Sequence, residues 1–135
     1  MDKRTKIAQI REQIRNLINK TGLVVPSNIR LEISHHYGLE NFDQYGMVII
    51  TIINKEYCKK FLFMFPGQSH PEQYHKIKHE TFLILKGSIK LVLNNETCMY
   101  NKGELISIPP NKNHQFSSVS FTVIGELSTK SLSRD

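Results

Sequence analysis

The chain changes texture once along its length. Up to about residue 21 the apolar positions recur at intervals of three and four, so Ile7, Ile10, Ile14, Leu17 and Ile18 share one face of a helix. Lys6, Arg11, Glu12, Arg15 and Lys20 fall mostly off that face. Asp2 is placed to cap the start, and Gly22 suits a left-handed stop. The helix has two uses open to it: packing on its own domain, or holding a second subunit or partner. Residues 24–26 break the pattern, and Ser27 or Asn28 caps a second short helix that runs to about Tyr37 and ends at Gly38.

From Met47 onward the period becomes two. Val48, Ile50 and Ile52 alternate, and the runs turn β-branched and aromatic. Strands are predicted near 47–54, 59–65, 73–76, 80–86, 88–94, 97–100, 104–109, 114–117 and 120–128. Turn chemistry separates them at Asn54-Lys55, Pro66-Gly67, Lys86-Gly87, Asn94-Asn95, Lys102-Gly103 and 109–113. Many short strands behind a helical lead-in predict an all-β antiparallel sandwich or barrel. With no internal repeat and no linker, residues 1–135 read as a single domain, with a helical extension over 1–38 and a β-barrel over 47–129.

Composition narrows the function classes. The apolar fraction is 39%, and no run approaches the roughly 20 apolar residues of a membrane helix, so no membrane role is expected. The basic N-terminus has no apolar signal core behind it, which predicts a cytoplasmic protein. Cys58 and Cys98 lack metal-like spacing and read as reduced thiols. The net charge of +6 is spread over 3–20, 55–60, 76–90 and the tail without aromatic interleaving or a nucleic-acid motif. Nucleic acid is therefore not an expected partner. A positive field of this kind also gathers anionic small molecules such as a sugar phosphate or an acidic sugar.

The candidate chemistry lies between Gly67 and His114. Gln73 and His75 are two apart, so on a strand they point to one side. Glu80 follows after a turn, and His114 comes after a second glycine-proline segment. Imidazole and carboxylate at the mouth of a rigid barrel suit divalent zinc, manganese, iron or nickel; the alternative is a buried hydrogen-bonded trio in a barrel without metal. A glutamine offers only a neutral amide oxygen, a weaker ligand than imidazole. His70 lies in the loop before the site and is a candidate for lining its mouth. His35, His36 and His79 have no partners at ligand spacing, and Tyr74 and Phe82 read as packing residues.

These segments resemble the paired motifs of the cupin superfamily, G-x5-H-x-H-x(3,4)-E-x6-G and G-x5-P-x-G-x2-H-x3-N. Gly67, His75, Glu80, Gly87, Gly103, Pro109 and His114 fall in register. Gln73 stands for the first motif histidine, Asn111 for the turn glycine and Ser118 for the final asparagine. Asn111 is a mild change, since asparagine tolerates a left-handed turn. The resemblance implies the cupin double-stranded β-helix, a jelly-roll barrel, with N-terminal helices.

Over roughly 29–129 the chain is similar to D-lyxose isomerase-like cupins and to the cupin domain appended to some sialic acid synthases. The carriers are 29–38, 46–60, the Pro-Gly-Gln-Ser-His-Pro-Glu segment at 66–72 and the Gly-Glu-Leu-Ser-Thr ending at 125–129. This resemblance implies a divalent metal, commonly manganese, on Gln73, His75, Glu80 and His114. It also implies roles for Lys78 and Glu126 in sugar isomerisation: a carboxylate shuttles the proton, and a lysine either stabilises an oxyanion or, with a pKa lowered by burial, acts as an acid–base group. Three functions follow as expectations. The first is a metal-dependent aldose–ketose isomerase, the second a non-catalytic sugar-binding or accessory cupin, and the third an interaction protein working through the basic helix. A homodimer is expected, because sheet edges need covering.

Overall fold

The computed structural model describes residues 2–35 and 37–130. Helix α1 spans Lys3–Thr21. Strands follow at β1 (Leu31–His35), β2 (Gly46–Asn54), β3 (Tyr57–Met64), β4 (Ser69–Gln73) and β5 (Glu80–Lys86). They continue with β6 (Ser88–Leu93), β7 (Glu96–Asn101), β8 (Leu105–Ile108), β9 (His114–Ser118) and β10 (Thr122–Thr129). A 3-10 turn (Leu39–Asn41) and the short helix α2 (Phe42–Tyr45) connect β1 to β2. Two sheets face each other, one of order β1-β2-β3-β10-β5-β8 and one of order β4-β9-β6-β7. The pairings are antiparallel. This is the expected all-β jelly roll. Residues 131–135 of the expected domain, and His36, lie outside the described residues.

Strand alternation divides the apolar residues between two cores. Met47, Leu62, Phe82, Ile84, Phe116 and Ile124 point between the sheets. Their neighbours Val48, Phe63 and Val123 point outward, beneath Ile10, Ile14 and Leu17 of α1. The middle strands β2 and β3 are thus apolar on both faces, which explains their near-continuous hydrophobic runs. The helix therefore packs on its own domain. Ile14 is fully buried in that contact, so Ile14→Ala is expected to lower unfolding stability by about 2–5 kcal/mol in denaturant titrations.

Two elements differ from expectation. The second helix does not form; residues 31–35 are strand β1, paired with β2 from Leu31↔Ile50 to His35↔Gly46. Ile29, Leu31 and Ile33 recur every second residue and pack under α1, and only a strand puts all three on one face. The helical extension over 1–38 is accordingly one helix and an edge strand, with α2 falling after Gly38. The strand expected at 73–76 lies earlier, at 69–73. It carries Pro71 on the edge of its sheet, with a register shift between His70 and Gln73, where a residue lacking an N–H is tolerated.

Gly87 alone joins β5 to β6 and carries the chain from one sheet to the other. Its φ is 82°, and a Cβ there would collide with the Phe121 carbonyl oxygen, so the position requires glycine. Among the described residues no helix is long and apolar enough to cross a membrane.

Candidate metal centre

The inward-facing positions at one end of the barrel are polar. Glu80 opens β5 on the same face as Phe82 and Ile84, and His114 opens β9 on the same face as Phe116. Both are buried. His75 does not share a strand with Gln73 as expected; it sits in the β4–β5 connection. The backbone N–H of Asn111 donates to the His75 carbonyl at 2.7 Å and anchors that connection. Asn111 adopts φ 65°, the left-handed geometry expected of the residue in place of the motif glycine.

The structure brings His75, Glu80 and His114 together, with one ligand atom of each within 4.8 Å of the others. His75 Nε2 lies 2.9 Å from Glu80 Oε1. His114 Nδ1 is 3.2 Å from the Lys112 carbonyl, which can only accept, so Nδ1 carries the hydrogen and, in the neutral ring, Nε2 is a bare lone pair. That buried Nε2 has no hydrogen-bond partner among the described residues. Leaving it unsatisfied costs about 1–3 kcal/mol, which a cation at this point would offset. An imidazole fixed through its far nitrogen, beside a second imidazole and a carboxylate, is the arrangement of a metal ligand. These residues fit a divalent metal. Gln73 is in direct cross-strand register with His114, so the two side chains leave the same face of the β4–β9 pair.

Lys78 and Glu126, far apart in sequence, meet beside this cluster. Lys78 Nζ is 3.2 Å from Glu126 Oε2 and 3.5 Å from Glu80 Oε1. All three are buried. Burial pulls the Lys78 pKa down, but the charges of Glu126 and then Glu80 outweigh it and hold the pKa above the ordinary lysine value. Without a bound metal these carboxylates hold Lys78 as a cation, the state that suits stabilising an oxyanion. Glu80 is the mirror case. Burial raises its pKa, but the hydrogen bond from His75, followed by the charges of Lys78, His114 and His75, brings it below the usual carboxylate value.

A carboxylate whose folded pKa lies below its unfolded value of 4.5 stabilises the fold fully above that pH and loses the contribution as pH falls through the folded value. Stability is expected to drop on acidification below the ordinary carboxylate value of 4.5, with a shallower slope for Glu80→Gln in denaturant titrations.

Sequence reasoning passed over Ser128, whose hydroxyl lies 3.5 Å from Glu126 Oε2. The signal was available, since 126 and 128 share a face of one strand. It also undervalued His70, which is buried and stacked on Phe116 rather than placed at an open mouth. Phe82 packs in the core as expected.

Two facing antiparallel sheets with this donor set at one end are the cupin jelly-roll arrangement, and residues 61–124 match the cupin domain family. A D-lyxose/D-mannose isomerase of Thermosediminibacter oceani is 28% identical over 104 residues, covering 71% of this chain. The match spans only 58% of that relative's own length. The D-lyxose ketol-isomerase of Cohnella laeviribosi is 27% identical over 141 residues, covering 83% of this chain and 78% of its own. Among solved structures, the L-ribose isomerase of Acinetobacter sp. DL28 in complex with L-ribose superposes with a TM-score of 0.80 at 12% identity. It covers 97% of this chain and 82% of its own, and at that identity shows the shared fold.

Proposed function

We propose that the protein is a metal-dependent aldose–ketose isomerase acting on a small sugar of the D-lyxose type. The observation that carries this reading is the Lys78–Glu126 ion pair set against the donor cluster through Glu80, inside the barrel. The isomerase relatives support the sugar class. His75, Glu80 and His114 would hold the divalent metal (manganese, zinc, iron or nickel), with the Gln73 amide oxygen as a fourth donor. Bound there, such an ion supplies polarisation of the sugar carbonyl and its neighbouring hydroxyl.

The remaining work falls to the chain's own side chains. Isomerisation takes the proton from C2 of the aldose and delivers it to C1, while the O2 hydroxyl proton passes to O1 through the enediol. The Glu126 carboxylate accepts the C2 proton and returns it. The Lys78 ammonium holds Glu126 in place and neutralises negative charge that develops on the sugar oxygen. The buried setting of all three charged groups excludes the water that would otherwise compete for the proton. The expected homodimer belongs to the same proposal, since β1 and β8 are edge strands of the larger sheet and such edges favour pairing.

A second reading, a sugar-binding cupin without turnover, is favoured by one feature: Gln73 in place of the motif histidine, a weaker donor. Thermal shifts on a panel of aldopentoses and aldohexoses with Mn2+, followed by chromatography of the same mixtures, separate the two. The isomerase reading expects a ketose product from at least one sugar that raises the melting point. Shifts without product favour the binding module.

A further inference from the structure

We propose that His70 is a positioning residue that turns the Gln73 amide so that its oxygen, rather than its nitrogen, faces the metal donors. The inference rests on the metal reading above. Gln73 closes β4 directly opposite His114, the first residue of β9, so its stem leaves the sheet on the donor side. A primary amide has two ends of similar size, and only the carbonyl end can coordinate a cation. Which end turns inward decides whether Gln73 is a ligand or an obstruction, and backbone placement alone leaves that open.

His70 supplies the missing constraint. Its Nδ1 lies 3.1 Å from the Pro71 carbonyl oxygen, which can only accept, so Nδ1 carries the hydrogen. In the neutral ring Nε2 is then an acceptor, and it lies 3.2 Å from Gln73 Nε2. The amide nitrogen therefore donates to His70, and the amide oxygen, on the other branch of the same carbon, turns away from it. A flipped amide would set a carbonyl oxygen against an accepting ring nitrogen, two acceptors facing each other.

The ring itself is held firmly. It stacks on Phe116 with centroids 5.2 Å apart and planes 6° from parallel. Phe116 is in turn wedged edge-on against Phe82 at 5.5 Å in the barrel core. His70 and Phe116 are also cross-strand partners in the β4–β9 register. A histidine in this setting acts on the metal site through its neighbour, as outer partners of metal ligands do.

The test has two arms. In metal-free protein labelled with 15N-histidine, NMR is expected to find His70 as the Nδ1–H tautomer; an Nε2–H tautomer overturns the inference, and this arm needs no variant to fold. In the second arm Mn2+ affinity is measured by calorimetry. His70→Phe keeps the stacking surface and removes the acceptor, and is expected to weaken Mn2+ binding about tenfold. Gln73→Ala is expected to weaken it similarly, and the double variant no further than either alone. Wild-type affinity in His70→Phe, or losses that simply add, overturns the positioning role and leaves the metal reading standing. Absence of Mn2+ binding to wild type sinks both together.

Discussion

Replacing Glu126 by glutamine is expected to lower kcat for aldose isomerisation by about 10²–10⁴-fold, the range a positioned general base contributes, with KM little changed. The substitution keeps the side chain's shape and its oxygen, so the amide still accepts from Lys78 Nζ, 3.2 Å away, and from the Ser128 hydroxyl. What it removes is the ability to take up and release a proton. Lys78 keeps Glu80 at 3.5 Å as its anionic partner, so it is not left as an uncompensated buried charge. Steady-state kinetics on wild type and variant, with metal content measured on both, check this. Equal kcat values at equal metal loading would remove Glu126 from the chemistry.

The second large effect concerns His114. Its Nε2 is a buried nitrogen without a hydrogen-bond partner among the described residues, and its Nδ1 is already committed to the Lys112 carbonyl. His114→Ala is expected to weaken Mn2+ binding by more than the roughly 10–100-fold that loss of an outer partner costs a metal site. The metal-free proteins separate less, because the substitution removes an unsatisfied polar atom, worth about 1–3 kcal/mol, while also removing packing. The contrast appears on adding metal. At free Mn2+ one hundred times its dissociation constant, wild type gains about 2.7 kcal/mol of stability. The variant at the same concentration is expected to gain essentially none. Gln73→His, which restores the stronger donor, is expected to shift the wild-type titration to lower metal concentration.

Most of the architecture is written in local pattern. The face formed by Ile10, Ile14 and Leu17 lies on the sheet, Asp2 accepts from the Thr5 N–H at 2.8 Å, and Gly22 closes the helix at φ 72°. Each of these depends only on residues within a turn of one another. The β1 segment was harder to read. Ser27, Asn28 and Gly38 punctuate it like a short helix, and the period-two signal of Leu31 and Ile33 is brief. Its strand state is decided by pairing with β2, a contact between segments that do not adjoin in sequence. Position 71 misplaced β4 for a similar reason: a proline suits a sheet edge, and which strand lies at the edge is a property of the whole sheet.

The site divides along the same line. His75, Glu80 and His114 follow from motif spacing, and the structure gathers them. The charge state of Lys78 does not, because it is set by two carboxylates from β5 and β10 that reach it only in the folded barrel. The hold of His70 on Gln73 is likewise invisible in the sequence. It needs the ring's stacking on Phe116 from another strand.

The central claim, that the histidine–glutamate cluster and the Lys78–Glu126 pair form one isomerase centre, is tested most directly by a single titration. Chelator-stripped wild-type protein is supplied with Mn2+ in steps, and ketose formation from an aldopentose is followed at each step. The account predicts no turnover in the stripped protein and a rate that rises and saturates at one metal per chain. Turnover that is absent at every metal level, or that proceeds undiminished without metal, would contradict it.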